Sequence, residues 1–114
     1  MANRIQALEV GKDLSSNTRS IQKPSGEGFY VTAVKDKSGK LCSIGIAGDG
    51  EEAAWMRIWA STASIAMQYG APPKDLIMKY IGHRIGDSWF DESGRMDSVL
   101  DATCKWLMSQ LNEA

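Results

Sequence analysis

The stretch that decides the fold is residues 51–70, which read EEAAWMRIWASTASIAMQYG. Glu51 and Glu52 suit the first turn of a helix, because carboxylates are stabilised at the positive end of the helix dipole. Gly70 suits the left-handed position that ends a helix, and the two prolines that follow prevent continuation. The stretch therefore predicts an α-helix from Glu51 to Tyr69.

Almost every face of this helix carries an apolar or small side chain. A helix with so little polar surface is buried on most sides in a folded protein. A chain of 114 residues forms one domain, and one small domain cannot easily surround such a helix. We therefore expect copies of the chain to form a homo-oligomer, with Trp55, Trp59 and Ala63 at the interface. The small residues of the helix would permit close approach of a second helix or of a sheet.

A β-hairpin is predicted before the helix. Residues 28–34 are rich in β-branched and aromatic side chains, which is typical of a strand. Residues 35–40 form a polar turn with a glycine suited to positive φ, and residues 41–46 return as the second strand. Because two strands alone are marginally stable in water, we expect the hairpin to pack against helices, a third strand or another subunit.

Two further helices are predicted after residue 70. Pro73 suits the start of a short helix that Gly82 closes, and a third helix begins at residue 96 or 97 and ends near Asn112. Residues 83–95 between them form a long loop, which in a compact domain usually has a function. The order β-β-α-α-loop-α predicts an α+β fold, in which a small antiparallel sheet packs against a long buried helix and two further helices.

The first 25 residues lack a strong hydrophobic period and contain turn-forming polar residues. We interpret residues 1–25 as a partly ordered N-terminal arm and residues 26–114 as a single domain.

Composition argues against several classes of protein. The 13 Lys and Arg residues and the 14 Asp and Glu residues give a net charge of -1, whereas a dedicated nucleic-acid binder needs a strongly basic face. No apolar run approaches the about 20 residues that span a membrane. The N-terminus lacks the apolar segment of a signal peptide. We therefore expect a cytoplasmic protein with neither a membrane nor a nucleic acid as its partner.

The chain offers little for catalysis. Cys42 and Cys104 are far apart, and together with His83 they fall short of the about four closely spaced ligands of a structural zinc site. No Gly-x-Ser-x-Gly nucleophile motif is present. We expect no enzymatic activity, no metal and no cofactor, and we expect both cysteines to lie in the core.

The candidate ligand-binding residues are Lys79, His83, Arg84 and Trp89. Lys79 and His83 are one helical turn apart and Arg84 follows, so this group can hold a phosphate or a carboxylate. Trp89 or Phe90 can stack on a base. The alternative is that the cations only satisfy the end of the second helix and a nearby acid.

Several motifs resemble one protein family in the same order. Residues 63–72, ASIAMQYGAP, resemble the Ser-x-Ala-Leu-Gln-Tyr-Gly-x-Pro stretch in the C-terminal region of adenosylcobalamin-dependent ribonucleotide reductases. Residues 28–32, GFYVT, are similar to its Gly-Tyr-Ile-Thr-Val strand, and residues 98–102, SVLDA, to its Ser-Ile-Val-Asp helix. His83-Arg84 stand where that family has an arginine-containing loop. The resemblance is to a TSCPD-type domain.

The sequence also departs from that family. The Thr-Ser-Cys-Pro-Asp motif with paired cysteines is absent, and the glycine loop at residues 47–51, AGDGE, is acidic. A reductase also needs a catalytic barrel far larger than this chain. The resemblance therefore implies a free-standing accessory module, of a kind that occurs in bacteria and their viruses, rather than a reductase.

We expect a non-catalytic, oligomeric binding module for a nucleotide or a nucleotide-derived small molecule, with a site completed by a neighbouring subunit. A viral protein that sequesters a nucleotide signal of host defence is one version. The alternative is a protein–protein module, either a ribonucleotide reductase accessory subunit or an inhibitor of a host enzyme. The apolar first helix would then be the docking face. Fold alone does not decide between these functions.

Overall fold

A computed structural model describes residues 14–86 and 88–111 of the chain. It confirms the α+β class, with a three-stranded sheet, a separate two-stranded sheet and three helices. The elements in chain order are β1 (Ser15–Gln22), β2 (Gly28–Lys35), β3 (Leu41–Ala47), α1 (Glu51–Gln68), α2 (Pro73–Met78), β4 (Trp89–Asp91), β5 (Gly94–Met96) and α3 (Val99–Leu111).

The three-stranded antiparallel sheet, in the order β1-β2-β3, has one apolar face. Phe29 and Val31 of β2 are buried, whereas Tyr30 between them is exposed. Cross-strand partners share a face, so Ile21 opposite Phe29 and Ile46 opposite Val31 extend the same apolar surface. Helix α1 packs beside β3 and α3 contacts β1 and β2, so the core lies between this face and the helices.

Part of the predicted N-terminal arm is a strand of this sheet. β1 pairs with β2 along its whole length, from Ser15 opposite Lys35 to Gln22 opposite Gly28. Its sequence, SSNTRSIQ, exposes every residue but one, so it shows no apolar alternation. The predicted boundary at residue 26 therefore falls in the turn that joins β1 to β2. Residues 1–13 of the predicted arm lie outside the described residues.

Side chains of helix α1 also form hydrogen bonds with backbone groups along the outer edge of β3. The Ser64 hydroxyl accepts a hydrogen bond from the Ile44 backbone N–H at 2.9 Å. The same hydroxyl lies 2.7 Å from the Ala60 carbonyl oxygen and 3.2 Å from that of Ile44, either of which can accept its hydrogen. The Gln68 amide donates to the Cys42 carbonyl oxygen at 3.2 Å. This edge is therefore blocked against strand addition by another chain.

The predicted helix from Glu51 to Tyr69 is present, but it is not buried on most sides within the chain. One side faces the core, and residues on the opposite side are exposed. Ala63 is buried within the chain and is not exposed at the surface where we expected an interface. Its small side chain permits close approach of the sheet, which was the other possibility. Trp55 and Trp59 are half-buried and pack against the core. In the described part of the chain, no helix combines the length and the apolarity needed to cross a membrane.

The predicted loop at residues 83–95 contains a β-hairpin, formed by β4 and β5. In its turn, the Asp91 carboxylate accepts hydrogen bonds from the Ser93 N–H and the Ser93 hydroxyl, both at 2.7 Å. These bonds, with the nearby Arg19 guanidinium, hold the pKa of this exposed carboxyl, Asp91, below its usual value. Strands of three residues are too short to show an apolar period, so the sequence indicates only a loop here.

Ser98 caps helix α3 and fastens the loop before it. Its hydroxyl accepts a hydrogen bond from the Asp101 N–H at 3.0 Å, as in the first half of a capping box. The same hydroxyl donates to the His83 carbonyl oxygen at 2.6 Å. The helix therefore begins two or three residues later than predicted, and its cap holds the start of the loop.

Asp101 is a fully buried carboxylate that joins three parts of the chain. It accepts hydrogen bonds from the Gly82 N–H at 2.6 Å, the Asp97 N–H at 2.8 Å and the Lys105 ammonium at 3.0 Å. Burial would raise the pKa of Asp101, but these bonds together hold it below the usual value. One carboxylate thus fixes both ends of residues 82–97.

We expect Asp101→Asn to lower the free energy of unfolding at pH 7 by about 2 kcal/mol, because bonds to a charged acceptor contribute that much and an amide cannot accept them all. Urea denaturation measures the difference. Asp49→Asn, at an exposed carboxylate before α1, is the control and should change little. Equal losses in the two variants would contradict the role of Asp101.

The contribution of Asp101 should also depend on pH. Its folded-state pKa is lowered, so the stabilisation is present above the unfolded-state pKa of about 3.9 and is lost as the pH falls through the folded-state pKa. The stability difference between the wild type and Asp101→Asn should therefore shrink below about pH 4. Denaturation curves recorded across this range check it, and a difference that stays constant would contradict it.

Replacing the serine that satisfies β3 should also destabilise the fold. Ser64→Ala leaves the buried Ile44 N–H without an acceptor, which costs about 2 kcal/mol. Ser61→Ala, at an exposed position of the same helix, should stay within about 0.5 kcal/mol of the wild type. Thermal and urea denaturation of both variants measures the contrast.

Candidate functional site

The predicted ligand residues Lys79 and His83 lie directly after α2 and are exposed. The His83 N–H donates to the Tyr80 carbonyl oxygen at 3.1 Å. The His83 ring also packs edge-on against the Tyr80 ring, with 6.1 Å between centroids, and Tyr80 packs against Trp59 at 5.9 Å. A chain of rings therefore connects this exposed histidine to helix α1.

Arg84, the third predicted residue, shares a carboxylate with Arg95, which is not among the residues predicted from sequence. The Nε atom of Arg84 lies 3.9 Å from Oδ1 of Asp97, and Nε of Arg95 lies 2.9 Å from the same oxygen. Arg95 also donates to the Ser88 hydroxyl at 3.3 Å. The side chains of Arg84 and Arg95 are 74% and 48% exposed. One carboxylate cannot neutralise two guanidinium groups, so these three side chains together keep a positive charge.

An exposed aromatic ring lies beside this cluster. Phe90 stands opposite Arg95 in the β4–β5 pair and is 74% exposed. Directly opposed residues of an antiparallel pair have side chains close enough to interact. We call Arg84, Phe90, Arg95 and Asp97 together the arginine surface. Arg95 could have been found from sequence only by recognising the short hairpin that pairs it with Phe90.

Trp89, the fourth predicted residue, is separated from the other three. It is buried and stands opposite the buried Met96. Neighbouring residues of a strand face opposite sides, so Trp89 faces away from the side that carries Phe90 and Arg95. Its side chain lines a cleft of about 480 Å³ between β1, the β4–β5 hairpin and α3. The residues that line this cleft do not include Lys79, His83 or Arg84. A single chain therefore does not bring all four predicted residues together, because Trp89 faces this cleft and the other three do not line it.

The charges that line this cleft are balanced. Arg19 and Lys105 contribute two cations, and Asp91 and Glu92 contribute two carboxylates. Lys105 is already engaged, because its ammonium bonds the buried Asp101 at 3.0 Å and also donates to a backbone carbonyl oxygen. The cleft therefore suits a neutral or zwitterionic molecule better than a phosphate.

The described residues offer neither a reactive thiol nor a group of metal ligands. Cys42 and Cys104 are free and fully buried, which confirms their predicted place in the core. Burial raises the pKa of both thiols, that of Cys104 to about 12, so neither forms the reactive thiolate at neutral pH. Within residues 14–86 and 88–111, no three His, Cys, Asp or Glu side chains are grouped as a metal site would require.

Comparison with known proteins identifies the family of the chain. No significant match to a curated protein or to a solved structure was found. The family model described as TSCPD domain matches residues 6–111. This range contains all eight strands and helices of the described structure, from β1 to the last residue of α3. The chain therefore belongs to the TSCPD domain family.

Proposed function

We propose that the protein is a non-catalytic, oligomeric module that binds a nucleotide or a nucleotide-derived small molecule at the arginine surface. The observation that carries the proposal is the convergence of Arg84 and Arg95 on the single carboxylate of Asp97, beside the exposed ring of Phe90. A phosphate and a planar base are the two groups that such a surface can hold together.

The two guanidinium groups supply the phosphate-binding chemistry. A guanidinium donates two parallel hydrogen bonds to a phosphate, and such charge-assisted bonds are about twice as strong as neutral ones. Arg84 is held loosely, at 3.9 Å from Asp97, so it can turn towards a ligand at little cost. Arg95 is held closely by Asp97 and Ser88, so it is already oriented.

The exposed phenylalanine supplies a stacking platform for the base. Stacking of a base on an aromatic side chain contributes about 1–3 kcal/mol, and it tolerates different bases. Phe90 is exposed on the face that also carries Arg95, so its ring is free to stack on a base. A ligand role accounts for this position.

An oligomer is needed to enclose such a ligand. Binding sites for small molecules are usually concave and bury about 70–90% of the ligand surface. The arginine surface is open to solvent in a single chain, so a second copy would have to supply the opposite wall. A cytoplasmic viral protein that sequesters a nucleotide signal of host defence fits this proposal, and two free cysteines suit a reducing compartment.

A protein–protein module is the second candidate, and exposed apolar residues favour it. Met78, Ile81 and Ile85 are exposed on the segment that leads to and follows Arg84, and clustered exposed apolar groups are typical of protein-binding surfaces. On this alternative, Phe90 would enter a pocket of a reductase or of a host enzyme. Such a protein would bind no free nucleotide.

Isothermal titration calorimetry with a panel of linear and cyclic nucleotides tests the proposal. We expect micromolar binding of at least one member. Arg84→Ala should weaken that binding at least about tenfold, because it removes charge-assisted bonds of about 1.5–3 kcal/mol. Its melting temperature should hardly change, since exposed ion pairs contribute about 0–1 kcal/mol. Arg19→Ala, which removes the same group from the cleft, is the matched control.

Three results would contradict the proposal. Absence of heat with every nucleotide at micromolar protein removes nucleotide binding and favours the protein–protein module. Loss of binding in Arg19→Ala but not in Arg84→Ala places the ligand in the cleft. Unfolding of Arg84→Ala shows that this arginine is structural and that the site is misplaced.

A further inference from the structure

An uncharged stripe runs along the outer side of helix α1. Its large members are Ile58, Ile65 and Tyr69, with 69%, 47% and 49% of their surface exposed. They repeat at the spacing that places residues on one side of a helix. Small residues that are also exposed complete the stripe. We call it the α1 stripe; it consists of Ala54, Ile58, Ser61, Thr62, Ile65 and Tyr69.

The charged side chain of Arg57, beside the stripe, is turned away from it. Arg57 donates a hydrogen bond from its guanidinium to the Gly48 carbonyl oxygen at 2.8 Å, so its charge is held towards its own chain. The stripe thus remains free of charge over about four helical turns. Three large exposed apolar groups in one line are unusual on the surface of a monomer.

The stripes of two copies of the chain match each other in the sizes of their side chains. When two copies of α1 cross antiparallel, with the twofold axis between Ser61 and Thr62, Ile58 of one copy meets Ile65 of the other. In the same arrangement, Ala54 of one copy lies under the large ring of Tyr69 of the other. The small residues stand at the crossing point, where the two helices come closest. A twofold interface requires this kind of reciprocal match.

The charges at the ends of α1 favour the antiparallel direction. Asp49 and Glu51 are exposed at its N-terminal end, and Lys74 is exposed just beyond its C-terminal end. Among the described residues, no side-chain hydrogen bond or ion pair involves Asp49, Glu51 or Lys74. Antiparallel copies place the acids of one chain near the lysine of the other, whereas parallel copies place like charges together. The interaction between the two helix dipoles also favours the antiparallel arrangement.

From this complementarity we infer that a second copy of the chain is the occupant of the α1 stripe, joined through an antiparallel α1–α1 contact. The inference rests on the oligomeric assembly of the proposed function and names its surface. Strand addition at β3 is not available to the second copy, because Ser64 and Gln68 already bond that edge. Assembly through the stripe requires no nucleotide.

Analytical ultracentrifugation without nucleotide tests the contact. The wild type should sediment as a dimer or a higher assembly at micromolar concentration. Ile58→Glu should weaken association at least about a hundredfold, because the twofold symmetry places an unpaired carboxylate against Ile65 at two points of the apolar contact. Ile85→Glu, the same change at an exposed position outside the stripe, should leave assembly intact. Circular dichroism confirms that both variants fold.

Cysteine cross-linking tests the direction of the helices. Under mild oxidation, a mixture of the Ile58→Cys and Ile65→Cys variants should form a disulfide between unlike chains, and neither variant alone should cross-link. The native cysteines are fully buried and should not react. Cross-linking of each variant alone would establish a parallel pair and overturn the inference.

A wild type that stays monomeric at high micromolar concentration, or an Ile58→Glu variant that associates like the wild type, would also overturn it. These results are separate from the nucleotide titration. Failure to bind a nucleotide would leave the ligand-free dimer unaffected, and a dimer that joins elsewhere would leave the role of Arg84 standing.

Discussion

The buried carboxylate of Asp101 is the interaction on which the second half of the structure depends. A buried charge without partners would cost several kcal/mol, so the backbone N–H groups of Gly82 and Asp97 must come to it. The end of the α2 segment and the start of α3 are thereby held together. The residues between them include the β4–β5 hairpin. Arg84 precedes this hairpin and Arg95 belongs to β5, and both side chains reach the carboxylate of Asp97.

Helix α1 has two apolar sides with different roles. Its inner side packs against the core and, through Ser64 and Gln68, supplies polar groups to the open edge of β3. Its outer side keeps Ile58 and Ile65 in water. Hydrophobic periodicity cannot separate two such sides, because both contribute apolar residues to one continuous pattern. The high apolar content that indicates burial in the sequence is divided in the structure between a core and an unpartnered surface.

Local signals in the sequence were sufficient for β2, β3 and the three helices. Alternation, a glycine after α1 and prolines before α2 each act over a few residues, so no distant partner is needed to interpret them. β1 could not be found this way, because its polar residues become a strand only by pairing with β2. The motif at residues 98–101, SVLD, was noted from sequence as a family resemblance. Its serine and aspartate prove to fasten the loop before α3.

The sequence by itself determined the α+β class, the main helices and the family, because these follow from short-range periodicity and from motif order. It also pointed to an exposed cation at Arg84. Only the tertiary structure decided which groups surround that cation. Trp89 turns away from it, since adjacent strand residues face opposite sides, and Arg95 and Phe90 join it through a hairpin too short to leave a pattern. A site is set by distances between residues far apart in the chain, and those distances exist only once the carboxylate of Asp101 has brought the loop ends together.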